Sequence, residues 1–282
     1  MTEGRKRRPL SFDIVRAMLE SLRLFVPATL AAITVSAHAD CTLVADAGTR
    51  RVVKEEGACD TRVTPASTFK IAISLMGYDA GFLKSEHDPV LHYGKGDPDW
   101  NDNWLADTDP QKWIRDSVVW YSQRVTAALG AARFQRYAHA FHIGNEDVSG
   151  DPKKRDGLKW AWIGSSLKVS PREELGFLER VVRRELPVKP LAYEMTSRIT
   201  AIAGDHGGWE IHGKTGAAFP RLADGASDHA HGIGWFVGWA MKGGRTLVFV
   251  RQTQDQSLQE GSPGLRARDA FLPGLPALLD AS

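Results

Sequence analysis

The chain has 282 residues, of which 43% are hydrophobic and 25% are charged, and its formal net charge is +2. This length and composition fit one soluble globular domain with a sizeable core, and they exclude a disordered chain. The 27 glycines and nine tryptophans indicate a rigid protein that is rich in turns.

Residues 1–39 have the features of a secretory signal peptide. Arg5–Arg8 supply positive charge, the apolar run 24–35 is too short to span a bilayer, and Ala37-His38-Ala39 is a small-x-small cleavage site. The charged part is long for a signal peptide, so translation from Met18 stays open as an alternative start.

Cleavage after Ala39 leaves residues 40–282 as the expected single mature domain, with 30 basic and 31 acidic side chains. The basic character therefore belongs to the leader, and no nucleic-acid-binding surface is predicted. We expect a periplasmic protein whose mature chain has no membrane anchor. No signature of an oligomer interface stands out.

The two cysteines, Cys41 and Cys59, lie just beyond the leader. Between them, the runs 42–45 and 50–54 flank the turn-forming stretch 46–49, which predicts a β-hairpin. A disulfide across the base of this hairpin suits an oxidising compartment, and two free thiols are the alternative. A metal site is not predicted, because two sulfurs without a nearby histidine pair are too few ligands.

A candidate nucleophile lies at the start of the first predicted helix. Pro65 and Ser67 are helix-opening residues, and the apolar run 71–76 suits a buried helix. Ser67 and Lys70 are three residues apart and so share one helix face. A buried lysine can be held neutral and can then take the proton from a serine hydroxyl. The stretch Ser165–Lys168 has the same spacing, so this motif alone does not identify the nucleophile.

Helices are predicted for most of the chain between Ser67 and Gly204. A helix from Asp109 to about Gly130 places Ser117 in mid-helix. Further predicted helices lie at 131–141, from the capping box at Ser170 onward, at 191–202 and at 265–279, the last of them kinked at Pro273. Beyond the hairpin, strands are predicted at 209–212, 234–240 and 246–251.

Strands therefore lie at both ends of the domain and helices in the middle. This order predicts an α+β fold with two lobes. An antiparallel sheet from both termini is flanked by helices, and an all-helical lobe is inserted. A cleft between two lobes is a common place for catalysis.

Lys214-Thr215-Gly216 is a second chemical motif, on or beside the strand that starts at 209. Alternation puts Lys214 and Gly216 on one face, where an ammonium can hold a carboxylate and a glycine lets a ligand lie close. The stretch 208–215 also fits the phosphate-loop formula. Its bulky, strand-like interior and the absence of a following helix pattern oppose nucleotide binding.

Ser117-Val118-Val119 completes a set of three motifs. S-x-x-K at Ser67–Lys70, S-x-V at 117–119 and K-T-G at 214–216 follow the order of serine β-lactamases and penicillin-binding proteins. With S-x-V in the place of S-D-N, residues 40–282 resemble a class D, oxacillinase-type β-lactamase. Trp162 to Leu167 resembles the W-x-x-x-x-L stretch of that family, which places the second S-x-x-K match in a structural segment.

The resemblance implies the fold of that family and a role for several residues. Ser67 would be acylated, and Lys70, carboxylated by CO₂, would act as the base in both half-reactions. A carbamate forms only on a neutral amine, which burial beside Val119 and Ile163 would promote. Trp162 would donate its indole N–H to the carbamate.

The resemblance also implies how substrate is held. Ser117 would relay a proton towards the leaving nitrogen, and the backbone N–H groups of Ser67 and Ala217 would form an oxyanion hole. The substrate-binding side chains and backbone would come from Lys214, Thr215, Gly216 and Arg266. One departure is Ile143, before Gly144-Asn145, where the family usually has an aromatic residue; no catalytic role is assigned to it.

The resemblance calls for CO₂ or bicarbonate, and for no metal or organic cofactor. It implies a hydrolase that opens the β-lactam amide of penicillin-type antibiotics and gives resistance to them. The alternatives are a penicillin-sensing domain and a small transpeptidase, both of which acylate without fast turnover. Kinetic measurements distinguish these hypotheses, since only the hydrolase shows rapid multiple turnover.

Overall fold

The structure is a computed structural model that describes Met1 and residues 40–282. The predicted signal peptide, its cleavage site and the alternative start at Met18 lie outside the described residues. By internal contacts the chain divides into Met1–Ser36 and Ala37–Ser282, and every described helix and strand belongs to the second unit.

A five-stranded sheet, antiparallel throughout, forms the centre of the fold. Its strands are β1 (Cys41–Asp46), β2 (Arg51–Gly57), β3 (Glu210–Ala218), β4 (Ile233–Lys242) and β5 (Arg245–Gln254). Their order is β2-β1-β5-β4-β3, so the two ends of the domain meet where β1 pairs with β5. This confirms the predicted sheet, and it leaves β3 as an edge strand.

Seven helices are described between β2 and β3, and two follow β5. The first group is α1 (Lys70–Asp79), α2 (Pro110–Arg115), α3 (Val119–Leu129), α4 (Ala131–Ala140), α5 (Gly157–Trp160), α6 (Pro171–Val182) and α7 (Pro190–Thr200). The second is α8 (Pro263–Phe271) and α9 (Leu275–Asp280). In the part of the chain described, no helix has the length and apolar character needed to cross a membrane. The inserted helices and the break near Pro273 are as predicted.

One predicted helix is in fact two. The pattern predicts a continuous helix from Asp109 to about Gly130, but α2 ends at Arg115 and α3 begins at Val119. Asp109 does cap α2, since its carboxylate accepts the Lys112 backbone N–H at 2.7 Å. Ser117, between the two helices, has a φ of 58° that an α-helix does not allow.

The sheet separates two apolar cores, because successive side chains on a strand point to opposite faces. On β5, Val248 and Val250 pack into the core shared with the inserted helices. Leu247 and Phe249 pack on the opposite face with residues of α9. α1 lies within the first core, and nine of its ten residues are buried. A helix buried on all sides carries Lys70 into the protein interior.

Cys41 and Cys59 form a disulfide with a Cα–Cα distance of 5.1 Å. The bond joins the start of β1 to the residues just after β2, across the base of the hairpin. This confirms the predicted bridge and excludes the two free thiols. Cross-linking positions 18 residues apart stabilises the fold mainly by restricting the unfolded chain.

Glu174 is a buried carboxyl near the start of α6. α6 packs against β1 and β5, and Glu174 is 3% exposed. Its Oε1 has no hydrogen-bond partner among the described residues. Burial raises the pKa of Glu174 to about 8, because an ionised carboxylate without a partner is poorly stabilised in the protein interior.

We expect Glu174 to make stability fall as the pH rises from its ordinary pKa of 4.5 towards 8. In that window the unfolded chain releases this proton and the folded chain keeps it, so unfolding is favoured by about 1.4 kcal/mol per pH unit. Glu174→Gln removes this contribution, so its stability relative to wild type should improve steadily between pH 5 and pH 8. Urea unfolding at several pH values measures the difference.

Glu194→Gln is the matched control, because Glu194 is exposed on the neighbouring helix α7 and its carboxylate lies 3.9 Å from Arg184. Its stability difference from wild type should change much less with pH. A difference for Glu174→Gln that stays constant from pH 5 to pH 8 would show that the buried carboxyl does not titrate in this window.

Candidate active site

Ser67 lies in a short 3-10 turn, Ala66–Phe69, that runs directly into α1. Pro65 caps this turn and Ser67 is inside it, so only Pro65 stands at the predicted helix start. Ala66 has a φ of 51°, a left-handed conformation that costs on the order of 1 kcal/mol or more for a residue with a Cβ. Strain of this kind beside a serine is typical of a functional site.

Lys70 begins α1 and points its amine at the serine. Its Nζ lies 2.9 Å from Ser67 Oγ, and its side chain is 0% exposed. Burial, and then the positive charge of Lys214, holds the pKa of Lys70 well below its usual range. A neutral amine has a lone pair that can accept the hydroxyl proton. The two residues therefore have the spacing of a nucleophile and its base, and burial favours the neutral form of the amine.

Three aromatic rings pack together next to this turn. Phe69, Phe134 and Trp162 lie with ring centroids 6.0 to 6.1 Å apart. Trp162 is fully buried, and its indole N–H has no acceptor among the described residues. A buried donor left without an acceptor costs on the order of 1–3 kcal/mol. This N–H would therefore stabilise a polar group placed beside it.

Thr64 fixes the Trp162 segment to the nucleophile segment, a role that no local sequence pattern indicates. Its hydroxyl donates to the Trp162 carbonyl at 2.9 Å and accepts the Gly164 N–H at 3.0 Å. Its carbonyl accepts the indole N–H of Trp235 on β4 at 3.1 Å. No motif marks Thr64; its position three residues before Ser67 is the one available signal.

Ser117 lies in the turn between α2 and α3, so its predicted mid-helix position is wrong. The turn is fixed from both sides, since the Val118 N–H donates to the Trp113 carbonyl at 3.1 Å and the Trp104 indole donates to the Asp116 carbonyl at 2.9 Å. These bonds hold the serine at its positive φ. α3 packs against α1, the helix that carries Lys70.

Two of the apolar residues predicted near Lys70 are also buried or half-buried. Val119, the first residue of α3, is 2% exposed. Ile163 is partly buried against the same apolar core. Both therefore belong to the same apolar core as α1.

Gly216 lets the edge strand β3 approach the nucleophile turn. A Cβ at this position would lie 2.8 Å from the Pro65 carbonyl oxygen and 3.0 Å from Thr68 Cγ2, closer than real side chains tolerate. The neighbouring strand positions, Lys214 to Ala218, therefore run alongside Ser67. The structure thus brings the first and third motifs together.

Lys214 is buried on β3, and its Nζ donates to the Thr215 carbonyl at 3.0 Å and to the Thr215 hydroxyl at 3.3 Å. Burial, and then the charge of Arg268, lowers the pKa of Lys214 to about 7. The amine is therefore easily switched between its two protonation states near neutral pH. A bound anion would favour the charged state.

Arg266 lies on α8. Its guanidinium donates hydrogen bonds to the Asp255 carboxylate and to the carbonyl oxygens of Glu260 and Gly261. α8 packs against β3 and β4, the strand pair that carries Lys214. Ala217, the predicted second oxyanion donor, is on β3 directly after Gly216. The predicted substrate-binding residues thus lie on β3 and on the helix packed against it.

The second S-x-x-K match, Ser165–Lys168, lies in irregular backbone rather than on a helix. Nearby contacts are structural, because Ser166 Oγ donates to the Asp147 carbonyl at 2.9 Å and the Lys168 N–H donates to Asn145 Oδ1 at 3.0 Å. Without a helical turn, the serine and lysine do not share a face. The first motif is therefore the candidate nucleophile.

The turn after Ile143 is fixed by the same segment. A Cβ on Gly144, which has a φ of 54°, would lie 2.0 Å from the Lys168 carbonyl oxygen, so only glycine fits. Ile143 is 1% exposed and belongs to the main core. Its side chain therefore packs in the core, and no catalytic role is indicated for it.

The residues described include no cluster of three or more His, Cys, Asp or Glu side chains arranged to hold a metal ion.

Known proteins resemble this chain over most of its length. The family described as "Penicillin binding protein transpeptidase domain" matches residues 38–271. β-Lactamase OXA-9 of Klebsiella pneumoniae is 38% identical over 269 residues, which cover 94% of this chain and 98% of that protein. β-Lactamase OXA-1 of Escherichia coli is 35% identical over 74% of both chains.

Solved structures give the same assignment. The crystal structure of the class D β-lactamase OXA-427 superposes with a TM-score of 0.80 at 45% identity, covering 86% of this chain and 99% of that one. A class D β-lactamase from Bacillus subtilis superposes with a TM-score of 0.68 at 27% identity, covering 86% and 90%. The fold and the sequence agree, and the chain belongs to the class D β-lactamases.

Proposed function

We propose that this protein hydrolyses the β-lactam amide of penicillin-type antibiotics through an acyl-enzyme on Ser67 and thereby gives resistance to them. The observation that carries the proposal is the Lys70 amine, fully buried and 2.9 Å from Ser67 Oγ. A neutral base in contact with a hydroxyl is what nucleophilic attack on an amide carbonyl requires. The relatives named β-lactamases support the choice of substrate.

In the acylation step, Ser67 Oγ attacks the β-lactam carbonyl carbon while the base at Lys70 takes the hydroxyl proton. The backbone N–H groups of Ser67 and Ala217 would stabilise the oxyanion, each worth a few kcal/mol. The carbonyl-to-nitrogen bond of the ring then breaks, and Ser117 gives its hydroxyl proton to the departing nitrogen while it receives the proton held by the base at Lys70. The product is an ester on Ser67.

We also propose that Lys70 is carboxylated by CO₂. The depressed pKa of Lys70 supports this, since only a neutral amine reacts with CO₂. The buried indole N–H of Trp162, without an acceptor among the described residues, would donate to a carbamate oxygen. A carbamate supplies a base strong enough to take a proton from water, so that hydroxide is delivered to the Ser67 ester.

A negative charge on Lys70 would also change Lys214. With a cationic Lys70, the two amines repel, and the charge of Lys214 is one of the causes that lower the pKa of Lys70. With an anionic Lys70, the interaction becomes attractive and raises the pKa of Lys214 from its value of about 7. Lys214 would then stay charged at neutral pH and, with Thr215 and Arg266, hold the substrate carboxylate.

A second candidate is a penicillin-binding transpeptidase or sensor that is acylated but not rapidly hydrolysed. It is favoured by the match to the penicillin-binding protein transpeptidase family, which shares the acylation chemistry. The two functions differ only in the second step, the hydrolysis of the acyl-enzyme. The rate of β-lactam turnover therefore decides between them.

Purified residues 40–282 should hydrolyse many equivalents of the chromogenic β-lactam nitrocefin. Ser67→Ala should abolish this turnover and should form no acyl adduct by mass spectrometry. Ser165→Ala is the matched control in the second S-x-x-K stretch and should keep turnover within about twofold. A burst of one equivalent that then stops would favour the sensor or transpeptidase instead.

Carbamate-depleted protein, prepared at low pH and returned to pH 7 without CO₂, should regain turnover on addition of bicarbonate. Trp162→Phe should need roughly tenfold more bicarbonate, because it removes the indole donor but keeps an aromatic ring. Phe134→Leu is the control, since Phe134 packs on Trp162 and has no N–H. Activity that is indifferent to bicarbonate would refute carboxylation, and an unchanged bicarbonate requirement in Trp162→Phe would refute the indole contact.

We propose further that residues 1–39 direct export to the periplasm and are removed, leaving 40–282 as one domain. The small-x-small site at Ala37–Ala39 and the disulfide at Cys41–Cys59 support this, because disulfides form in oxidising compartments. N-terminal sequencing of periplasmic protein should begin at Asp40. An intact leader on the active protein would contradict the proposal.

A further inference from the structure

We propose that Asp255 is a positioning residue for recognition of the substrate carboxylate, because it holds the guanidinium of Arg266 in place. The inference rests on the proposed function, in which Arg266 assists Lys214 at that carboxylate. Asp255 would not touch the substrate. It would act only through the arginine.

Arg266 is held at both terminal nitrogens of its guanidinium. Nη2 donates to Oδ2 of Asp255, and Nη1 donates to the carbonyl oxygens of Glu260 at 2.6 Å and Gly261 at 2.8 Å. Within residues 40–282, its Nε–H donates to no acceptor, and the side chain is 31% exposed. Three contacts thus fix the guanidinium, while one of its edges stays available to an anion.

Asp255 is itself fixed by the fold. It directly follows β5, and its N–H donates to the Gly232 carbonyl at 2.9 Å. Its side chain is only 14% exposed. A Cβ on Gly232 would lie 2.6 Å from Oδ2 of Asp255, so the carboxylate occupies space that only a glycine leaves. This ion pair has a largely buried carboxylate that is held by its surroundings, so it differs from an ordinary surface ion pair, whose long side chains are mobile.

The pair lies next to the K-T-G strand. A Cβ on Gly264 would lie 2.4 Å from the Gly216 carbonyl oxygen, so the first turn of α8 rests directly on β3. Arg266 is two residues further along the same turn. The position of its guanidinium relative to Lys214 therefore depends on how the Arg266 side chain is anchored, and Asp255 is the charged part of that anchor.

The neighbouring arginine on α8 gives a matched comparison. Arg268 Nε donates to Oδ1 of the adjacent Asp269 at 2.7 Å, and the Asp269 carboxylate is 62% exposed. This is also an arginine–aspartate pair on the same helix, but its carboxylate is exposed, whereas that of Asp255 is largely buried. Asp269→Ala therefore controls for loss of one negative charge from this region.

The test is a double-mutant cycle of Asp255→Ala and Arg266→Ala, with kcat and KM measured on a penicillin and on its carboxylate methyl ester. For the free acid, Asp255→Ala should raise KM about tenfold and change kcat less than twofold. In the Arg266→Ala background the same change should have no further effect. For the ester, neither single change should alter KM by more than about twofold.

Asp269→Ala should raise KM much less than Asp255→Ala does, because Asp269 is 62% exposed and solvent screens its charge. Asp255→Asn keeps the size of the side chain and one oxygen, so it should raise KM by less than Asp255→Ala does. If the alanine variant folds poorly, the asparagine variant tests the inference in its place. The inference would be overturned if Asp255→Ala left KM for the free acid unchanged or raised KM for the ester equally. It would also be overturned if the effects of Asp255→Ala and Arg266→Ala on KM were additive. A wild type that turns over neither compound would overturn the proposed function and the inference with it, a result distinct from these.

Discussion

The burial of the Lys70 amine beside Ser67 is the constraint on which the site depends. α1 is enclosed on all sides, and its first residue, Lys70, is 0% exposed. A charged amine there would lack the partner that buried charges require. Burial therefore disfavours the charged form of this lysine. The proposed roles of Lys70 as a base and as a carboxylated residue both need the neutral amine.

The other parts of the site are brought to this pair by close backbone approaches. Gly216 gives β3 the room to run past the nucleophile turn, and Gly264 lets α8 rest on β3 from the other side. Ala66, beside the Gly216 contact, and Ser117, in the turn between α2 and α3, hold strained positive φ values. Strain of about 1–3 kcal/mol at each position is tolerated because the surrounding hydrogen bonds define one conformation.

Much of this could be predicted from the sequence. The order of strands and helices, the cysteine hairpin and the spacing of Ser67 and Lys70 all follow from local patterns, and the structure agrees with them. The Ser170 capping box is also present, since its hydroxyl accepts the Glu173 N–H and its own N–H donates to the Glu173 carboxylate. Such features need only neighbouring residues, and local patterns report neighbours well.

What the sequence by itself determined is the chemistry: a serine and a lysine one turn apart, two further motifs in a known order, and a sheet drawn from both ends. The motif order already favours Ser67–Lys70 over Ser165–Lys168, and the tertiary structure adds that only Lys70 lies on a buried helix with its amine next to its serine. It also placed Ser117 in a strained turn, bonded Thr64 to the Trp162 segment and paired Asp255 with Arg266. Those outcomes depend on contacts between residues that are far apart in the chain, and the local spacing of residues does not predict such contacts.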